Sequence, residues 1–101
     1  MLNTETFGQG PNLTLLHGWA AQNSDWRSWA ETELAAYFTV TLIELPGFGN
    51  SDALPDSKEI EADWIAAISA KLPAQTHLLG WSLGGLLAQK IAVESPERIQ
   101  S

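Results

Sequence analysis

Short apolar runs alternate along this chain with longer stretches in which apolar side chains return every three or four positions. "LTLL" (Leu13 to Leu16), "TVTLIEL" (Thr39 to Leu45) and "THLLG" (Thr76 to Gly80) are β-branched or aliphatic and lie close to glycine or proline. Each predicts a short buried strand. The alternation in "LNTETF" (residues 2–7) predicts an edge strand, and "GQGPN" (Gly8 to Asn12) a turn. Ser24 or Asp25 can cap a helix running to about Tyr37, with Trp26, Trp29, Ala30, Leu34, Tyr37 and Phe38 on one face. Asp56 and Glu59 fit a capping box for a second helix, whose stripe is Ile60, Trp64, Ile68 and Leu72. "LPAQ" ends it, and a third helix spans Leu83 to about Glu94, closed by Pro96. Three strands alternating with three helices predict an α/β fold, a mainly parallel sheet with helices on both faces and right-handed crossovers.

Composition narrows the class. With 101 residues, 45% hydrophobic and 17% charged, the chain reads as one globular segment, residues 1–101, with no repeat and no linker. Twelve acidic against five basic side chains give a formal net charge of -7, and the basic residues are scattered. No nucleic-acid partner and no anionic membrane surface are expected. There is no cysteine, which excludes disulfides and thiolate chemistry. The N-terminus lacks the basic and apolar regions of a secretory signal, and no apolar run reaches the ~18 residues of a membrane span, so a soluble cytoplasmic protein is expected. His17 and His77 are the only histidines, too few to predict a metal site.

The chemistry centres on "LLGWSLGGLLAQK" (Leu78 to Lys90), where Gly80, Ser82 and Gly84 form G-x-S-x-G between a strand and a helix. That context is what the motif requires. A serine at a sharp strand-to-helix turn is held in a strained backbone conformation, and glycines on either side let neighbouring chain approach. Its hydroxyl then projects at the C-terminal edge of the sheet, beside the free N–H groups of a helix N-terminus. "LLHGW" (Leu15 to Trp19) ends the first buried strand at the same edge. An oxyanion hole needs two converging backbone N–H donors. Leu83 supplies one, as the residue after the serine, and Trp19 is the candidate for the other.

Together, "LLHGW", "ELPGFGNSD" and "LLGWSLGG" resemble the N-terminal part of an α/β-hydrolase. Within that superfamily the chain is most similar to the pimeloyl-carrier-protein methyl ester esterases of biotin synthesis. The tryptophan after His17-Gly18, Trp81 before the serine, and "ESPERIQS" after the elbow helix carry this closer likeness. The resemblance implies Ser82 as nucleophile, with Trp19 and Leu83 meeting the substrate carbonyl through their N–H groups. It makes His17 a structural residue of the His-Gly loop rather than a base. It implies no metal or organic cofactor, an acyl ester as substrate and acyl carrier protein as a candidate partner. Glu44 and Asn50 stand where the family often has Asp and Arg. Trp26, Trp29 and Trp64 are expected in the core, His77 at the surface. Trp19 and Trp81 are candidates either for lining a substrate pocket or for packing. Gly47 and Gly49 make a tight loop.

A serine nucleophile needs a base and an orienting carboxylate. In the superfamily both follow the serine in the chain, whereas both histidines here precede Ser82. The sequence therefore reads as an α/β-hydrolase fold incomplete at its C-terminus, lacking the later strands and the cap. Its third buried strand is expected to be an exposed apolar edge, and the 101 residues alone are expected to turn over no ester. The alternatives are another enzyme of the same fold, such as a carbon–carbon hydrolase or a menaquinone-pathway lyase, and a non-catalytic fragment.

Overall fold

The computed structural model describes residues 1–101. Four strands, β1 (Thr4–Gly8), β2 (Asn12–Leu16), β3 (Thr39–Ile43) and β4 (His77–Gly80), form one sheet in the order β1-β3-β2-β4. Strands β2, β3 and β4 are parallel, as their apolar runs predict, and β1 pairs antiparallel with β3 at the edge. Three helices complete the fold: α1 (Arg27–Glu33), α2 (Ile60–Ser69) and α3 (Leu83–Glu94).

Side-chain alternation along the strands divides the core in two. Leu13, Leu15, Val40 and Leu42 meet Ala30 of α1, with Trp26, Leu34 and Phe38 packed around them. Leu16 and Ile43 face the other way and meet Ile65, Ile68, Leu72, Leu87 and Ile91. Leu15, Leu16, Leu42 and Ile43 are fully buried, each worth about 1.5–3 kcal/mol of transfer free energy. This is α/β layering, with a sheet covered on both faces.

Several local expectations are corrected. The first helix is much shorter than Ser24 to Tyr37. A 3-10 turn (Asn23–Asp25) is separated from α1 by Trp26, whose φ of -128° breaks the helical run. Neither Ser24 nor Asp25 is the N-cap of α1; the Asp25 carboxylate instead accepts the Gln22 N–H at 3.0 Å. Beyond Glu33 the chain turns, and the Ala35 carbonyl accepts the Gln9 N–H from the β1–β2 turn, which packs against this stretch. Only the i, i+4 series of Trp26, Ala30, Leu34 and Phe38 faces the core; Trp29 and Tyr37 are exposed.

The Asp56–Glu59 capping box does not form. The second helix starts at Ile60, so Glu59 is its N-cap and not its third residue, and the Glu59 N–H is taken by Ser57 Oγ at 3.0 Å. Ile60 is exposed, and Ile65 takes its place on the buried face. The outer edge of β4 is not left open either. After α3 the chain turns at Ser95 to Glu97 and lies parallel to β4, with Gln100 N–H donating to Thr76 O and Leu78 N–H to Ser101 O, both at 2.9 Å. His77, partly buried, bonds Ser101 Oγ through Nδ1 at 2.8 Å.

Candidate active site

The sheet order places β2 and β4 side by side, while the chain leaves β2 over one face through α1 and reaches β4 over the other through α2. Divergent connections from adjacent parallel strands open a crevice at their C-terminal ends, where open α/β sheets bind ligands. The two motif-bearing segments, Leu15 to Trp19 and Gly80 to Gly84, meet at this crevice.

Ser82 sits between β4 and α3 with φ 54° and ψ -115°, a positive-φ conformation that costs a non-glycine residue about 1–3 kcal/mol. The surrounding backbone imposes it. Trp81 N–H donates to Leu16 O at 3.0 Å, Gly84 N–H to Trp81 O at 2.9 Å, and Leu86 N–H to Ser82 O at 3.1 Å. Gly84 lies directly against the end of β2: a Cβ there would stand 2.1 Å from Leu16 O and 2.5 Å from His17 O. A Cβ on Gly80 would strike Gly84 O at 2.3 Å, and one on Gly18 would lie 2.8 Å from Trp81 Cδ1 and 3.3 Å from Ser82 Cβ. The three glycines thus bring the exposed Ser82 side chain up to the His-Gly turn.

That turn runs from Gly18 to Ala21, closed by Ala21 N–H to Gly18 O at 3.2 Å, with Ala20 in the left-handed region at φ 60°. His17, 2% exposed, holds it from beneath. Leu45 N–H donates to His17 Nε2 at 2.9 Å, so the ring proton sits on Nδ1, which donates to Gly18 O at 2.7 Å. Gly18 O and the Trp19 N–H belong to one peptide plane, so this bond also orients the N–H. Neither the Trp19 N–H nor the Leu83 N–H donates to any group in the chain. The structure therefore brings an exposed hydroxyl at a helix N-terminus up to the His-Gly turn, and leaves the Trp19 and Leu83 N–H groups without an acceptor in the chain. It brings no free imidazole to them, since both nitrogens of His17 are engaged and His77 lies on the first residue of β4, opposite the crevice.

Two residues at this edge carry more than the sequence reading assigned to them. Glu44, 3% exposed, accepts Asn3 Nδ2 and Asn23 N–H at 2.8 Å each and Asn50 N–H at 2.9 Å. Burial pushes its carboxyl up, yet these hydrogen bonds outweigh that and hold it below its ordinary pKa. Glu44 thereby ties the chain before β1, the loop before α1 and the loop after β3 to one point. Phe48, in the last of these loops, stacks edge to face on His17 (5.9 Å between centroids, 83°) and on Trp19 (5.1 Å, 78°). Position 44 departs from the Asp frequent in the family, but no local sequence pattern announces either set of contacts.

Trp81, 68% exposed, borders a cleft of about 230 Å³ with Gly18, Ala21, Gln22 and Trp26. Trp19 stands outside that cleft, beside Phe48. A larger groove of about 390 Å³ between α2 and α3, bridged by Lys90 and Glu61 at 3.1 Å, lies away from these donors and from Ser82. No cluster of three or more metal-ligating side chains occurs, and no helix is long and apolar enough to cross a membrane.

Comparison with known proteins agrees with this fold. The family model described as "alpha/beta hydrolase fold" matches residues 11–101. The pimeloyl-[acyl-carrier protein] methyl ester esterase of Aeromonas salmonicida is 46% identical over 101 residues, covering 99% of this chain and 39% of that protein. The enzyme of the same name from Aeromonas hydrophila is 48% identical, again over 99% of this chain and 39% of its own length. Among solved structures, a marine microorganism esterase superposes with a TM-score of 0.82 at 26% identity, over 99% of this chain and 39% of that one. The chain spans about two-fifths of the length of the curated relatives it matches.

Proposed function

The chain belongs to the α/β-hydrolase fold family, and on that premise we propose that it is the nucleophile-bearing N-terminal segment of a serine carboxylesterase. The observation that carries this reading is Ser82 on its strained turn, packed against Gly18 of the His-Gly turn, with the Trp19 and Leu83 N–H groups unused in the chain. Ser82 Oγ attacks the ester carbonyl, forming the Oγ–C bond and moving the carbonyl π pair onto oxygen. The two N–H groups receive that oxyanion, each worth about 2.7–4 kcal/mol in the transition state. Collapse expels the alcohol, protonated by the base that took the serine proton, and leaves an acyl-enzyme that water hydrolyses. The base and its orienting carboxylate come from the portion of the enzyme that the relatives possess beyond the matched two-fifths. His17 is unsuited to that role, because its proton and lone pair already hold Gly18 and Leu45.

The substrate we propose is a methyl ester of a pimeloyl group on acyl carrier protein, with methanol as leaving group. The support is the name shared by relatives 46–48% identical to this chain. The reaction needs no metal or organic cofactor, and we place it in the cytoplasm. The test is labelling of the complete protein by a fluorophosphonate probe, which should modify Ser82 and be abolished in Ser82→Ala. Absence of labelling, or labelling that survives Ser82→Ala, refutes the assignment. Complementation of a strain blocked at the biotin methyl-ester step separates this substrate from those of carbon–carbon hydrolases and lyases of the same fold.

A further inference from the structure

The indole of Trp19 is 71% exposed at the crevice, and an exposed side chain of that size has no reason to keep one orientation unless something holds it. Phe48 is its aromatic partner, edge to face at 5.1 Å. Phe48 is itself firmly placed. It lies between Gly47 (φ 81°) and Gly49 (φ 53°), its N–H donates to Leu45 O at 3.0 Å, and its carbonyl accepts Ser51 N–H at 2.9 Å. Its ring packs on the core cluster containing Leu16 and Ile43 and against the immobilised His17 ring. The Glu44 carboxylate, fixed by three donors, sits directly under Gly49, where a Cβ would stand 2.2 Å from Oε2. Tips of glycine turns favour small polar residues. A half-buried phenylalanine at this one is explained by what it touches, a fixed ring on one side and a free one on the other.

We propose that Phe48 is a positioning residue that fixes the Trp19 indole beside the His-Gly turn and thereby sets the preference for acyl chain length. The inference rests on the esterase reading, but its first test does not. In the complete protein, the indole N–H resonance of Trp19 is identified by its loss in Trp19→Phe. Phe48→Leu, which keeps apolar bulk but removes the ring, should shift that resonance and leave those of Trp29 and Trp64 in place. The second test is a double-mutant cycle of Phe48→Leu and Trp19→Ala, reading kcat/KM for acetyl and octanoyl esters of p-nitrophenol. Each single change should lower the octanoyl-to-acetyl ratio by about 2- to 10-fold, the range an edge-to-face pair supports, and the double change should lower it no further. An unmoved Trp19 resonance, or strictly additive effects, overturns the proposal. A protein that hydrolyses neither ester refutes the esterase reading instead, and the resonance still decides whether Phe48 positions Trp19.

Discussion

Adjacent glycines at the start of α3 should respond unequally to the same substitution. A Cβ on Gly84 would stand 2.1 Å from Leu16 O and 2.5 Å from His17 O, whereas ordinary contact begins at 3.4 Å. Both obstacles are backbone and cannot rotate away, so α3 must retreat from the end of β2 by about 1 Å. Overpacking of this kind costs about 1–3 kcal/mol. The same retreat carries Ser82 and the Leu83 N–H away from Trp19, and a misplacement of about 1 Å at a reacting centre costs roughly 100-fold in rate. Gly85, one residue on, would place its Cβ 3.2 Å from Gly80 O and 3.6 Å from Gly80 C, a crowding that a shift of a few tenths of an ångström relieves. Against that small cost stands the gain of up to about 1 kcal/mol from replacing glycine by alanine in a helix. In the complete protein, Gly84→Ala should lower kcat/KM for a p-nitrophenyl ester about 100-fold and stability in urea by about 2 kcal/mol. Gly85→Ala should leave both near their starting values. Equal effects from the two substitutions, or an unimpaired Gly84→Ala, would refute the reasoning, because the argument depends on which backbone atoms each Cβ meets.

Two further outcomes follow from the loops around the site. Glu44→Gln removes a charge that accepts three hydrogen bonds and should cost about 2 kcal/mol at pH 7, measured by urea unfolding. Because the Glu44 pKa is lowered by folding, its contribution is present above the unfolded-state pKa and is lost as pH falls through the folded value; the loss on Glu44→Gln should therefore shrink in acid, and a pH-independent difference would contradict it. Ala20→Gly relieves a left-handed alanine at φ 60° and should raise the free energy of unfolding by about 1 kcal/mol, measured in urea; a lowered value would show that the turn is not strained there.

The strands were legible because their apolar runs are short and bounded by glycine or proline, so length and punctuation agreed. The elbow was legible for a related reason: the spacing of Gly80, Ser82 and Gly84 is a local demand of the turn, written within five residues. What could not be read depends on partners distant in sequence. Nothing near Trp26 announces that the helix must break there, since periodicity alone continues through Phe38. The Asp56–Glu59 spacing is right for a capping box, but the helix begins one residue after the Glu. Glu44 and Phe48 owe their roles to Asn3, Asn23, His17 and Trp19, whose approach only the sheet order creates.

That sheet order also bears on how the molecule assembles. Strand β2 pairs with β3 in a register that joins Leu16 to Ile43, but with β4 in one that joins Leu16 to Gly80, at more than twice the separation along the chain. Closing the longer loop costs more chain entropy, and contacts of high sequence separation slow folding. On this ground the pairing of β2 with β3 is expected first, while the edge of β2 that will receive β4 waits, apolar and unpaired, for the crossover through α2. The junction of Leu16 with Trp81 and Gly84 is made only when that crossover closes. During synthesis or refolding, the turn that carries Ser82 is therefore expected among the last parts of the sheet to form, and the wait exposes Leu13 to Leu16 to association between chains.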